Sequence, residues 1–392
     1  MPGQTLKLSG ACILQVIPAL EAGGAERTVL EVAEGIIGAG GRVLVASEGG
    51  RLVPALTGLG GAHVTLPMAS KNPLVWARTR AALATLVRTE GVDIVHARSR
   101  APAWPALWAS RRTGASFVTT YHGAYSGKST AKLLYNSVMA RGDVVIANSR
   151  FTESAIREAF ADWRFMQGRR IVTIPRGAAL GDFDPGAVTP DRLTAAFDVL
   201  GGEDRFRILL PGRLTPWKGQ AVLIEAARQL QERGLTLRLA LLGSPQGHED
   251  YERMLNATIE QAGLSDAVVM PGEWDDMPAA YAWADVAVSA STRPEAFGRV
   301  ALEAMAMARP VVATDHGGSR ETVLPEETGI LVEPGQAAPL ADALLRLAKE
   351  PALGARLSAA GRQRAAQFST AAMVEATLGV YRDVLEARER KA

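Results

Sequence analysis

The sequence predicts an α/β protein made of two parallel-sheet domains. Three observations carry this. Short apolar runs alternate with longer amphipathic stretches, the series breaks once in a turn-rich segment near the middle, and the charge balance changes sign between the two halves. Strands that alternate with helices pair in parallel, with helices covering both faces of the sheet. The 392 residues are enough for two or three domains, each able to bury its own core.

In the first half, Ile13 to Ile17, Val43 to Ala46, Ile94 to His96, Phe117 to Tyr121, Val144 to Ala147 and Ile171 to Ile174 are strand-length apolar runs. Amphipathic helices are expected between them at Ala25 to Ile37, Leu74 to Glu90 and Lys132 to Arg141. The stretch Gly177 to Gly202 then gathers Gly181, Pro185, Gly186, Pro190, Gly201 and Gly202, the composition of a linker or hinge. A second series of strands follows at Arg207 to Leu210, Leu237 to Leu242, Val268 to Met270, Val286 to Ser289, Val311 to Ala313 and Ile330 to Val332. The last helix, capped by Ser369 and carrying Met373, Leu378, Tyr381, Val384 and Leu385, has no strand after it. The expected domains are residues 1–195 and 200–369.

Composition narrows the function. Apolar residues are 47% of the chain and charged residues 21%, which excludes disordered, fibrous and membrane-spanning classes. One cysteine, Cys12, gives neither an internal disulfide nor a paired-Cys zinc site, which favours the cytoplasm. The run Ala11 to Leu20 is interrupted by Gln15 and Pro18 and reads as a buried first strand rather than a signal peptide. Residues 1–195 hold 22 Lys and Arg against 14 Asp and Glu, a net of +8, so the rest of the chain carries −6 of the overall +2. Lys71 to Arg112 is the most basic stretch and suits an anionic partner such as a membrane surface. With no binding motif and a small total charge, nucleic acid is not expected.

Ligands of open α/β sheets sit beyond the carboxyl ends of the strands, so the loops there carry the chemistry. The first strand leads into Gly23-Gly24-Ala25-Glu26, a glycine turn at a helix start that lacks dinucleotide-binding spacing. Arg213 and Lys218, on the loop Pro211 to Gly219, can hold a diphosphate. In Arg293 to Glu303, Glu295 lies on the loop and Glu303 about one turn into an otherwise apolar helix, two carboxylates suited to hydroxylated rings. Thr314-Asp315-His316-Gly317-Gly318 repeats the glycine turn before a helix. Asp182-Phe183-Asp184 has the spacing of a metal-binding pair, but it lies in the hinge and is not read as a metal site.

Taken together, the Gly-Gly-Ala-Glu loop, Gly212-Arg213 with Lys218-Gly219, the E-x7-E spacing of Glu295 and Glu303, Asp315-x-Gly-Gly and Thr328-Gly329 resemble glycosyltransferase family four. Asn148-Ser149 and Ile174-Pro175-Arg176-Gly177 extend the likeness over almost the whole chain. The resemblance implies the GT-B architecture, two facing Rossmann-like domains with the C-terminal helix 370–392 crossing back to the first. It also implies a retaining hexosyltransferase that uses a nucleoside-diphosphate sugar and no metal or other cofactor, so turnover should survive EDTA. Arg213 and Lys218 would bind the donor diphosphate, Glu303 the ribose and Glu295 the transferred sugar, with Phe297 and Gly298 alongside and Trp274 near the base. Gly23 and Gly24 would approach the phosphate, and His122 the sugar. Arg98, Arg100, Tyr121 and Lys128 would face the acceptor or the membrane. Lipopolysaccharide-core and exopolysaccharide transferases look most similar. That likeness implies a glycan or glycolipid acceptor and a cytoplasmic protein, peripheral on the inner face of the cell membrane. The alternatives are a nucleotide-sugar epimerase of similar architecture and a non-catalytic nucleotide-sugar-binding protein. Release of nucleotide only when an acceptor is present separates the transferase from the epimerase, and the nearly complete set of candidate site residues counts against the non-catalytic protein.

Overall fold

A computed structural model describes residues 8–21, 24–123, 125 and 129–390. It divides the chain into two units. One runs up to Gly177 and is joined by the segment from Thr370 onward; the other is Ala178–Ser369.

The first unit is a seven-stranded parallel sheet. Its strands are β1 (Cys12–Val16), β2 (Arg42–Ser47), β3 (Ala62–Thr65), β4 (Ile94–Ala97), β5 (Ser116–Tyr121), β6 (Val144–Ala147) and β7 (Arg170–Thr173), in the order β3-β2-β1-β4-β5-β6-β7. Side chains alternate across the pleat. Leu14 and Val16 therefore enter one core, and Ile13 enters another together with Ile17 just past the strand. The second core is completed from the far end of the sequence, where helix Thr370–Glu389 supplies Met373, Leu378, Tyr381 and Val384. A side chain at Gly35 would lie 2.3 Å from Val374, so a glycine lets this helix approach helix Gly24–Gly38 closely.

The second unit has a six-stranded parallel sheet. Its strands are β8 (Phe206–Pro211), β9 (Leu237–Leu242), β10 (Val268–Gly272), β11 (Val286–Ser289), β12 (Val311–Thr314) and β13 (Ile330–Val332), in the order β10-β9-β8-β11-β12-β13. The winding direction reverses between β1 and β4 in one sheet and between β8 and β11 in the other. Loops splay apart at such reversals and leave a crevice at the strand ends. This makes the loops after β8 and β11 neighbours in space.

Both parallel sheets and the return of the last helix agree with the sequence reading. Three details differ. The edge strand β3 was not expected, because Ala62–Thr65 is only partly buried and carries little apolar signal. The segment expected as one helix over Lys132 to Arg141 is helix Thr130–Asn136 followed by a 3-10 turn, Ser137–Arg141. The expected linker contains helix Pro190–Leu200, started by Thr189 as cap and Pro190 at its first position. Ala196 and Leu200 pack against Tyr281 and Trp283, and the Trp283 indole donates to the Gly201 carbonyl at 2.8 Å. The division therefore falls at Gly177/Ala178, not at 195–200.

Candidate active site

In the second unit, backbone geometry brings three loops together. Gly219 has φ +78°, and a side chain there would lie 1.9 Å from the Ala290 carbonyl oxygen, so the loop after β8 rests directly on the end of β11. The Trp217 carbonyl accepts from the Thr292 amide at 2.8 Å and ties the same two segments. Across this seam Lys218 Nζ lies 2.8 Å from Glu295 Oε1, with both side chains about 15% exposed (15% and 14%). The Ser291 hydroxyl donates to the same carboxylate oxygen. Lys218 also lies 4.5 Å from the centre of the Trp217 ring. Arg213 is exposed, and among the described residues its guanidinium makes no hydrogen bond or ion pair.

Gly298, with φ +76°, starts helix Arg299–Ala306. Glu303, 7% exposed, is held on both oxygens. Arg299 donates to Oε1 from Nη2 at 2.7 Å and Nε at 3.1 Å, and the Tyr281 hydroxyl donates to Oε2 at 3.0 Å. Burial, and then the neighbouring carboxylate, keep the Tyr281 phenol protonated far above its usual range. These partners explain how an acid survives on an apolar helix. A carboxylate has about four acceptor positions, and with three taken one remains, on Oε2, for a ligand hydroxyl.

Other expected residues are placed differently. Phe297 is 5% exposed and stacks edge-on against Phe368 at 5.8 Å, so its ring is part of the core. Trp274 is half-buried, and its indole donates to the Asp276 carbonyl at 2.9 Å. Gly317 and Gly318 pack against the backbone of Glu295 to Phe297, where side chains would come within 2.5 Å. They serve loop-on-loop contact, and the helix behind them has four residues, too few to form a phosphate site. Asp184 caps a turn at the Gly186 amide and pairs with Arg362 at 2.9 Å. Among the described residues, no group of three His, Cys, Asp or Glu is placed to hold a metal ion.

In the first unit, Gly24 begins its helix with the Arg176 guanidinium in the space a side chain would need, at 1.7 Å. Arg176, Arg98, His122 and Asn148 line a cavity of about 20 Å³. His122 Nε2 is shut off from solvent without a hydrogen-bond partner among the described residues. Burial, then Arg98, then Arg176 push this imidazole down to about 3, so it is neutral. Arg98 is 3% exposed and donates twice to Gln15 Oε1, at 2.6 and 3.0 Å, so it is an interior cation rather than a surface one. Tyr121 is buried against Tyr125, 4.9 Å between ring centres. Arg100 sits over Tyr125 at 4.2 Å and donates to Asn136 at 2.8 Å. Arg98 and Tyr121 are therefore buried packing groups, whereas Arg100 is half-buried. Gly23 and Lys128 lie outside the described residues. His96 is wholly buried between Tyr381 and Thr120, at 2.6 and 2.7 Å.

Sequence reasoning missed Ser291, Tyr281 and Arg299 as partners of the two glutamates. Arg299 had a readable signal, since it lies one helical turn before Glu303. Tyr281 had none, because it arrives from another helix 22 residues away.

Comparison with known proteins supplies the wider setting. Residues 22–181 match the family model described as Glycosyltransferase Family 4, and residues 192–364 match that of Glycosyl transferases group 1. A D-inositol 3-phosphate glycosyltransferase from Acidothermus cellulolyticus is 31% identical over 315 residues, 76% of this chain and 69% of that protein. A glycosyltransferase crystal structure from Rickettsia africae superposes with a TM-score of 0.87 at 34% identity, covering 96% of this chain and 98% of that one. Anabaena HepE, crystallised with UDP and glucose, gives 0.78 at 25% identity, covering 94% and 98%.

Proposed function

The chain belongs to glycosyltransferase family 4, and from that premise we propose that it moves a hexose from a nucleoside-diphosphate sugar to a hydroxyl of a glycan or glycolipid, with retention of anomeric configuration. The observation that carries the reading is the Lys218–Glu295 pair at 2.8 Å, with Arg213, unpaired among the described residues, on the same loop as Lys218. One cation and one carboxylate are held together where a diphosphate and a sugar would compete for them. The UDP and glucose of the HepE crystal support that class of donor. The basic first half, net +8, supports an anionic membrane surface as the place where a glycolipid acceptor is met, and cell-envelope polysaccharide or lipopolysaccharide synthesis as the setting.

Donor binding exchanges partners. Lys218 turns from Glu295 to the diphosphate beside Arg213, and the released carboxylate accepts from hydroxyls of the sugar. The bond from C1 to the diphosphate oxygen then breaks, and the two cations offset the charge left on the phosphate. The acceptor oxygen joins C1 from the same face, and its proton passes to the departing phosphate oxygen. No metal takes part, so turnover survives EDTA.

Calorimetric titration with UDP and other nucleoside diphosphates tests donor binding, and the anomeric coupling in the NMR spectrum of the product tests retention. Absence of nucleotide binding, or an inverted product, overturns the corresponding part.

A further inference from the structure

Four large apolar side chains are markedly exposed among the described residues, and two of them, Leu74 at 76% and Leu134 at 51%, belong to one surface of the first unit. Leu74 lies in the first turn of helix Pro73–Thr89 and Leu134 in helix Thr130–Asn136. Trp76 and Tyr135, each close in sequence to one of the leucines, stack at 6.4 Å and bring those helix segments side by side. Trp76 also meets Trp104 at 6.2 Å and Trp108 at 6.3 Å. Trp104, Trp108 and Arg111 recur at intervals of four and three on helix Arg100–Thr113 and so form one stripe leading away from the leucines.

The stripe ends at a second feature. Arg111, Arg141 and Arg169 line a cavity of about 260 Å³ with Ser110, Ser116 and Asp143. Asp143 accepts from the Phe117 amide at 2.8 Å and, among the described residues, forms an ion pair with none of the three arginines. Arg169 is fixed by the Gly142 carbonyl at 2.7 Å, and Arg141 rests over Trp104 at 5.8 Å and joins the cavity to the aromatic stripe. Burial and repulsion from Arg111 and Arg169 disfavour the Arg141 charge, a cluster that an anion would relieve. The two acids of the Lys71 to Arg112 stretch are engaged elsewhere, Glu90 with Arg42 and Asp93 with Arg388. Arg78, Arg80, Arg88, Arg112 and Lys132 have no acidic partner among the described residues.

We propose that this face docks on an anionic bilayer, with Leu74 and Leu134 entering the acyl boundary, the tryptophans at headgroup level, and one headgroup phosphate held by Arg111, Arg141 and Arg169. Exposed leucines, interfacial indoles and uncompensated guanidinium groups in one continuous surface are what such a boundary binds. The proposal deepens the membrane reading above by naming the surface and the lipid chemistry.

The test is co-sedimentation of the full chain with vesicles of phosphatidylcholine alone or mixed with phosphatidylglycerol. Binding should require the anionic lipid and weaken as salt rises. L74S/L134S should bind about tenfold less well. R111Q/R169Q should lose about thirtyfold on anionic vesicles. Equal binding to both vesicle types, or undiminished binding of either double variant, overturns the proposal. Thermal stabilisation by inorganic phosphate without vesicle binding makes the cavity a free-phosphate site and also overturns it. UDP titration of the same samples keeps the readings apart. Failure to bind vesicles with UDP binding intact removes only the docking, whereas loss of UDP binding in the unaltered chain removes the donor reading.

Discussion

Glu295 and Glu303 are alike in type and differ in what holds them. Glu295 is paired with a cation that the donor diphosphate would attract, while Glu303 is fixed by Arg299 and Tyr281. Glu295→Ala removes a group that acts on the reacting sugar and frees Lys218, so turnover should fall roughly tenfold to a hundredfold with UDP affinity kept or raised. Glu303→Ala should weaken UDP by a similar factor and leave turnover at saturation less affected. Calorimetry beside steady-state kinetics separates them; the reverse pattern exchanges the assignments. The buried histidines give a second prediction. His122 is held at about 3, and His96 is also held well below its usual value, chiefly by burial. Because the unfolded chain binds these protons first, stability is complete above about 6.5 and declines as pH falls from there toward 3. His122 contributes a slope of up to about 1.4 kcal/mol per pH unit in that window, and His96 adds to the loss in the same direction. His122→Gln should flatten the fall of Tm with acidification, and an unchanged slope would show that His122 is not buried neutral. Both glutamates, Arg213 and Lys218 were readable from spacing. The interior placement of Arg98, Tyr121 and Phe297 was not, since charge and aromaticity do not reveal which way a side chain turns.

At the scale of elements, strands covered on both faces are the most legible, because each is a bare apolar run such as Val286–Ser289. β3 lies at a sheet edge and gives no such run, and helix Pro190–Leu200 was masked by the glycines and prolines around it. Turns show a related division between conformation and space. Gly114 and Gly219 share φ +78°, yet Gly114 faces open space while Gly219 abuts the Ala290 carbonyl. Gly114→Ala should cost about 1 to 2 kcal/mol, the left-handed backbone alone. Gly219→Ala adds a backbone clash and should cost more than about 3 kcal/mol, with UDP binding weakened because Lys218 precedes it. Urea unfolding of both variants, with UDP titration, checks the difference; equal costs would mean the loop yields.

At the scale of the molecule, the return of the final helix ties the two ends of the sequence together. Met373, Leu378, Tyr381 and Val384 are all buried, and at about 1.5 to 3 kcal/mol for each large side chain their burial is comparable with the roughly 5 to 15 kcal/mol that holds a whole domain folded. A chain ending at Ser369 should therefore lose the thermal transition of the first unit and keep that of the second. Two intact transitions would show that the helix is dispensable. The same arrangement sets an order for synthesis. The β1-to-β7 sheet leaves the ribosome early, but the side chains that close one of its faces follow only after the 192 residues of Ala178–Ser369. At the pace of translation that is a wait of about 10 to 40 s, during which apolar surface around Ile13 and Ile36 stays uncovered. The later-made unit can finish folding first, and the nascent chain is a client for chaperones throughout that interval.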